Sequence, residues 1–326
     1  MNAVNLIGAM LQNGAVEFLE AASWGSAACA PLAGDASTRR YYRLRKAGQS
    51  AVLMDASQSL GSVAPFLHIA QHLAQLGFSA PGIFAWDEKK GFMLLEDFGD
   101  ATFVRLLEGN GHEQEKLYAL ATDVLIALHK SPQAIPERLR EYDPPQMLSD
   151  VDLFLEWRTP AISDKGKAEF AEIWRTVLPL AHQVPGSLLL RDYHAANLML
   201  LGERQGIRQA GLLDFQDAYQ GPVTYDLMSL LEDARRDVPE GLREEMMARY
   251  LAQFPEIDRS VYRTSMAILA ALRHMRVLAI FERLSRRDGK HDYKNLHSPR
   301  VARLLERALR HPKLSNLAQW VARYAR

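Results

Sequence analysis

The sequence predicts an α+β protein built as two lobes, a small five-stranded antiparallel N-terminal lobe and a larger, mainly helical C-terminal lobe. Three observations lead there. Short apolar runs of strand length recur up to residue 95, helical apolar spacing takes over from Thr102, and the composition shifts at Glu96-Asp97-Phe98-Gly99-Asp100. That shift sets the expected division into 1–97 and 98–326.

Each element follows from its pattern. An amphipathic helix is expected over 4–22. The run 27–44 reads as two strands joined by Gly34-Asp35-Ala36-Ser37, a polar turn whose backbone N–H groups can approach phosphate, although most such turns only close hairpins. Residues 51–54 form a third strand. An inserted helix over 63–76 has apolar positions at Val63, Phe66, Leu67, Ala70, Leu73 and Ala74. Strands at 82–86 and 92–95 complete the sheet. Helices are then expected at 102–108, 113–129, 150–157 and 165–182, with more after Tyr225, and a loop around 141–145 where Pro, Asp and Tyr gather.

At 326 residues, with 48% hydrophobic and 24% charged residues, the chain can bury real cores, and disorder is not expected. Cys29 is the single cysteine, and no Cys/His spacing suits zinc, so a reducing compartment is expected. The N-terminus lacks the basic-then-apolar pattern of a signal peptide. The apolar stretch 266–281 is interrupted by Arg273, His274 and Arg276, which argues against a membrane span. Cytoplasm is the expected location. The net charge is zero, yet residues 273–326 hold fourteen Lys+Arg against four Asp+Glu. Solvated helix faces explain such a segment as readily as an anion site does. Nucleic acid is not the expected partner, because no recognised motif or interleaved aromatics accompany the basic residues.

The chemistry shows in LLLRDYHAANLMLL followed by GLLDFQDA. Residues 188–190 and 211–213 read as short buried strands, each delivering a carboxylate at its end, Asp192 and Asp214. Asn197 follows Asp192 by five positions. In kinases of the protein-kinase type an Asp and an Asn share one loop at that spacing and a second Asp opens the next motif, so the arrangement suits Mg-dependent phosphoryl transfer. Asp192 then takes or orients the hydroxyl proton, while Asn197 and Asp214, hard oxygen donors, hold Mg2+. Asp217 is a further metal carboxylate or a helix N-cap. His194 fits no metal cluster.

LLLRDYHAANLML, GLLDFQDA and GPVTYDLMSLL, in this order and spacing, resemble the motifs of the aminoglycoside phosphotransferase and choline kinase superfamily, across nearly the whole chain. A protein-kinase-like two-lobed fold is implied. Within that superfamily, GDASTRRYYRL, GFMLLEDFGD and RHMRVLAIFERLSRRDGKHDY resemble the anomeric kinases for N-acetylmuramate and N-acetylglucosamine that serve bacterial cell-wall recycling. The resemblance implies ATP as donor, Mg2+ as cofactor and a sugar 1-phosphate as product. It further implies that Asp226 braces the catalytic loop and that Gly34 and Ser37 approach the phosphates. Adenine would pair with the backbone of Glu96, Asp97 and Phe98, among apolar walls from Leu32, Val52, Leu200 and Leu213.

One departure stands out. The third strand has Met54 where the superfamily places a phosphate-gripping lysine, and the helix 63–76 has no acid to partner one. A lysine without its glutamate would leave an unbalanced charge, so the two losses belong together. Arg39, Arg40, Arg43 and Arg45 flank or occupy strand two, and alternation puts Arg39, Tyr41, Arg43 and Arg45 on one face. Arg43 is the favoured replacement cation; a plain solvent face is the other reading. For the acceptor, a basic C-terminal region favours a neutral or anionic molecule over a polycation. Arg158, Arg273, Arg276 and Arg283 are the candidates for a sugar carboxylate. Two alternatives stay open: another small-molecule kinase of the superfamily, acting on an aminoglycoside, amino alcohol or hydroxy-amino acid, or a non-catalytic nucleotide-binding module.

Overall fold

A computed structural model describes residue 11 and residues 13–32, 38–109 and 114–325. In chain order they form α1 (Asn13–Ala21), β1 (Ala28–Pro31), β2 (Arg40–Lys46), β3 (Gln49–Asp55), α2 (Val63–Gln75), β4 (Ile83–Asp87), β5 (Phe92–Glu96), α3 (Phe103–Gly109), α4 (Gln114–Lys130), α5 (Pro144–Arg158), α6 (Asp164–Ala181), β6 (Gly186–Leu189), β7 (Leu198–Leu200), β8 (Ala210–Leu212), β9 (Tyr219–Pro222), α7 (Thr224–Leu231), α8 (Glu240–Leu251), α9 (Arg259–Asp288), α10 (Ser298–Ala308) and α11 (Ser315–Tyr324). The chain divides into two compact units, Met1–Leu106 with Asn197–Asp217, and Leu107–Ala196 with Ala218–Arg326.

The first unit is organised by an antiparallel sheet of order β1-β2-β3-β5-β4. Its faces follow from strand alternation. Tyr42, Leu44, Ala51, Leu53, Phe92 and Leu94 enter one core together with Ala15, Phe18 and Leu19 of α1. The opposite face carries Tyr41 across from Met54 and Arg43 across from Val52. The five strands match the expected sheet, while the helix expected over 4–22 is described only from Asn13 and the turn of Gly34 and Ser37 lies outside the described residues. The β7/β8 hairpin joins this unit through Leu212 N to Ser79 O (2.8 Å) and Leu200 N to Ala101 O (2.8 Å). A glycine is needed at Gly211, because a Cβ there would come within 2.9 Å of the Phe98 ring.

The second unit is built on α9, thirty residues long. Asp258 starts it by accepting from Ser260 N and Val261 N, and Gly289 ends it at φ 67°. Among the described residues it is the one helix long and apolar enough to cross a membrane, and 67% of its apolar window is buried inside the unit. There it packs on α5, α6, α7 and α10. Phe154, Phe170, Trp174 and Trp320 fill the same core, and the Trp320 indole donates to Gly166 O at 2.8 Å.

Three expectations shift. The helix expected at 150–157 begins six residues earlier, because Asp143 caps it by accepting from Gln146 N (2.8 Å) and Pro144 fits the first turn, where no N–H is needed. What reads as a loop around 141–145 is thus partly a helix start. The strands expected at 188–190 and 211–213 end one residue sooner, at Leu189 and Leu212, because each chain turns there. Their partners β9 and β7, four and three residues long, carry too little pattern to be recognised alone.

His129 near the end of α4 reports on this unit's packing. Its Nδ1 pairs with the Tyr250 hydroxyl at 2.7 Å, Nε2 is buried without a hydrogen-bond partner among the described residues, and burial pushes its pKa down to about 3. The unfolded chain takes up this proton below about 6.5, whereas the folded one refuses it until about 3. Stability should therefore fall on acidification through that window. In urea unfolding between pH 6.5 and 4, His129→Gln should flatten the dependence by close to one proton; parallel curves for both proteins would refute the assignment.

Candidate functional site

In the second unit β6 ends at Leu189 and the chain turns over a buried carboxylate. Leu190 N and Arg191 N donate to Asp226 at 2.6 and 2.9 Å, and Asp226, in the first turn of α7, is fully buried. Burial pushes its pKa up to about 7, although the two N–H donors favour the carboxylate. The turn holds Arg191 at φ 65° and folds Asp192 N back onto Leu190 O at 2.8 Å. The Arg191 guanidinium lies 4.7 Å from the ring of Tyr142 and 4.9 Å from that of Tyr219, and it donates to Asp150 at 2.5 Å. Asp150 on α5 also accepts from the Tyr142 hydroxyl at 2.8 Å and lies 3.5 Å from Arg276 of α9.

Asp192 thus emerges from a braced turn into a cationic setting. Burial works to raise its pKa, but His194, Arg276, Arg273 and Arg191 outweigh it and hold the carboxyl below its ordinary value. His194 is itself pushed down to about 4 by burial, and its Nε2 faces Arg235 Nη1 at 3.3 Å, which assigns the ring proton to Nδ1. At neutral pH the imidazole is uncharged, which leaves the three arginines as the charged groups acting on Asp192. Arg273 is 4% exposed, and its Nη1 has no hydrogen-bond partner among the described residues. Asp192 is therefore an anion at neutral pH, suited to accepting a hydrogen bond from a hydroxyl more than to holding its proton.

The loop passes into the first unit at Asn197. Leu213 N donates to Asn197 O at 3.0 Å, continuing the β7/β8 register and bringing residues 197 and 214 to one end of the hairpin. Asp214 sits at φ 59°, and its Oδ1 accepts from Arg39 Nη2 at 2.7 Å and from Gln216 Nε2 at 2.9 Å. Gln216 also reaches the exposed Asp217 at 3.4 Å. Phe215, fully buried, packs on Phe66 of α2 with ring centroids 5.0 Å apart. Asn197 and Asp214 supply the hard oxygen donors that Mg2+ requires. No cluster of three or more His, Cys, Asp or Glu ligands occurs among the described residues.

Around the junction at 96–100, Arg43 is held on three sides. It donates to Asp97 Oδ1 through Nη2 (3.0 Å), to Asp100 through Nη1 (2.9 Å) and to Gly99 O through Nη2 (2.8 Å), and is ion-paired with Asp97. Glu96 accepts from Gly82 N at 3.0 Å and pairs with Arg204, whose guanidinium lies over the Phe98 ring at 5.2 Å. Leu200 and Leu213, at opposite ends of the hairpin, are both at intermediate burial. The four arginines singled out for a carboxylate separate into groups. Arg273 and Arg276 act on Asp192, whereas Arg158 pairs with the buried Glu282 at 3.3 Å, in company with Arg286 and Lys294. Arg283 lies one residue from that cluster, its Nε buried without a hydrogen-bond partner among the described residues.

Sequence reasoning missed Asp150, Arg191 and Arg235. Arg191 stands beside Asp192 in the motif and could have been suspected. Asp150, 41 residues upstream on a helix, gives no signal.

The phosphotransferase enzyme family matches residues 28–264. An N-acetylmuramate/N-acetylglucosamine kinase of Caulobacter vibrioides is 35% identical, covering 94% of this chain and 94% of its own length. A kinase of the same name from Pseudomonas aeruginosa is 34% identical, covering 94% and 92%. Among solved structures, a choline/ethanolamine kinase family protein from Mesorhizobium loti superimposes with a TM-score of 0.62 at 18% identity, covering 90% of this chain and 92% of that one, which supports the two-lobed fold alone. Because the match extends through both units and the similar kinases align over almost their entire length, the chain belongs to the phosphotransferase enzyme family, and within it to the family of the N-acetylmuramate/N-acetylglucosamine kinases.

Proposed function

We propose that this protein is an ATP- and Mg2+-dependent kinase that phosphorylates the anomeric hydroxyl of N-acetylmuramate, N-acetylglucosamine or both, in the cytoplasm. The observation that carries the reading is the end-to-end similarity to kinases named for these two sugars. The anomeric position rests on the resemblance of the GDASTRRYYRL and C-terminal segments. Residues 1–97 serve the nucleotide and 98–326 the chemistry and the sugar.

Asp192 accepts the hydrogen bond of the sugar hydroxyl and aims its oxygen at the γ-phosphorus. Its depressed pKa suits this role, because in a loose phosphoryl transfer the hydroxyl gives up its proton late and positioning outweighs basicity. Asn197 and Asp214 hold Mg2+, with Asp217 close enough through Gln216 to steady the group. When bound, Mg2+ supplies charge neutralisation for the phosphate oxygens. The backbone of Glu96 to Phe98 pairs with adenine, and Leu200 and Leu213 form apolar walls. Gly34 and Ser37 approach the phosphates. Asp226 braces the turn that presents Asp192. Cations around Asp192 disfavour a polycationic acceptor. They favour the lactyl carboxylate of N-acetylmuramate, with Arg273 its first partner, Arg276 its second, and Arg158 and Arg283 more remote.

Three outcomes are expected. Phosphorus NMR of N-acetylmuramate incubated with ATP, Mg2+ and the protein should show a sugar 1-phosphate, and Asp192→Asn should lower kcat by at least about a hundredfold, within the range for losing a positioned proton acceptor. A sugar 6-phosphate, or undiminished turnover, would remove the assignment. Arg273→Gln should cut kcat/KM for N-acetylmuramate by about tenfold more than for N-acetylglucosamine, the scale of one charge-assisted hydrogen bond. Equal losses on the two sugars would instead assign Arg273 to holding Asp192.

A further inference from the structure

A nucleotide site needs a cation over the phosphates being transferred, and the strand position expected to supply one is occupied by Met54, apolar and fully buried. Helix α2 contains no acid that could have partnered a lysine there. The replacement must come from a residue near the same sheet face. Tyr41 stands across from Met54 and Arg43 across from Val52, so alternation along the chain entering β2 brings Arg39 to that face, one step beyond Tyr41.

The partners of Arg39 and Arg43 distinguish the two. Arg43 is spent on the junction: its two Nη nitrogens donate to Asp97, Asp100 and Gly99 O, while Asp97 Oδ1 also accepts from Gly99 N at 3.0 Å. Withdrawing Arg43 would leave Asp97, whose side chain is 6% exposed, without its cation and would loosen the turn at Gly99. Arg43 is thus a strap for the segment following β5. Arg39 reaches elsewhere. Its side chain is 10% exposed and donates at 2.7 Å to Oδ1 of Asp214, the carboxylate proposed above to hold the metal, whose own side chain is 37% exposed.

A guanidinium and a metal ion cannot both lie on one carboxylate oxygen without repelling each other, unless further negative charge arrives with the metal. A metal–nucleotide complex brings that charge. We infer that Arg39 is the phosphate-gripping cation of this protein, standing in for the lysine that Met54 replaces, and that it holds Asp214 until the metal–nucleotide complex takes that carboxylate and offers phosphate oxygens in exchange. The planar fork of arginine matches two phosphate oxygens at once, which suits it to the task from a different strand. The inference deepens the proposed nucleotide site and rests on it.

The test is binding rather than turnover. Titration calorimetry of the full chain with Mg2+ and a non-hydrolysable ATP analogue, without sugar, should show Arg39→Ala weakened by about tenfold or more, with Arg39→Lys between it and the parent. Adding Met54→Lys to Arg39→Ala should recover part of the loss. Paramagnetic resonance with Mn2+ alone should move the other way: Arg39→Ala binds the ion more tightly, because the competitor for Asp214 is gone. A salt bridge that only supports the fold would lower the melting temperature and leave both affinities unchanged, which overturns the inference. Should Arg39→Ala fail to fold, Arg39→Gln and Arg39→Lys carry the same comparison. A parent protein that binds no nucleotide would overturn the proposed function itself, an outcome distinct from parent and variant binding alike.

Discussion

The chain bends through the left-handed region at Arg191 and at Asp214, φ 65° and 59°, and the candidate catalytic and metal residues depend on those two bends. This conformation costs most L-residues about 1–2 kcal/mol, less for an aspartate such as Asp214, so the bend at Arg191 above all depends on surroundings that over-determine it. At Arg191 two successive N–H groups are fixed on Asp226, while two tyrosine rings and Asp150 hold the side chain. At Asp214 the carboxylate itself is tethered, by Arg39 and Gln216. Each bend ends a short strand and turns the next side chains away from a buried apolar run. Without the bend at Arg191, the residue after β6 would keep the strand's alternation and Asp192 would lose its aim.

The bends also set the electrostatics. Asp226 must be fully buried to reach both N–H groups, and that burial favours its protonated form. Arginines gather nearby, each with more than one carboxylate in its field. Asp150 takes Arg191 and Arg276, and the same two arginines, with Arg273, keep Asp192 ionised. Arginine suits such shared arrangements because its fork can serve several acceptors at once and its charge survives burial. In the first unit the same residue type, Arg39 and Arg43, carries the ion pairs of one sheet face, where Met54 is buried and apolar.

How much of this was legible depended on the range of each signal. The five strands and α2 show in alternation and helical spacing because most of those patterns run for five residues or more, and β1, four residues long, shows only as part of the run 27–44 that it shares with β2. β7 and β9 do not, since strands of three and four residues are defined by pairing partners far along the chain. Asp192, Asn197 and Asp214 could be read from their local spacing. Choosing between Arg39 and Arg43 could not, because both obey the same alternation and only Asp97, Asp100 and Asp214, 54 to 175 positions away, tell them apart. Asp150 was invisible for the same reason.

The basic C-terminal segment shows how a charge count can mislead about a site. Its excess of cations suggests an open anion-binding face, yet many of its arginines have carboxylate partners within the helical unit. Arg276 has Asp150, Arg286 and Lys294 share Glu282, Arg300 and Arg303 meet Asp237, Arg307 meets Glu232, and Arg323 meets Glu169. Apart from Glu282, the acids of these pairs lie outside the segment, so its excess of cations is balanced elsewhere in a chain whose net charge is zero. Several are exposed and contribute little to stability. Selectivity for an anion then cannot follow from the sum of the charges. It must come from a cation whose hydrogen-bonding capacity is not consumed by the fold, and in the field of Asp192 that description fits Arg273, buried with its Nη1 unmatched among the described residues. A buried guanidinium with an unused donor is costly when nothing occupies its front and favourable when a carboxylate does. Under the proposed function, that difference would let Arg273 prefer an acceptor sugar that carries a carboxylate over one that does not.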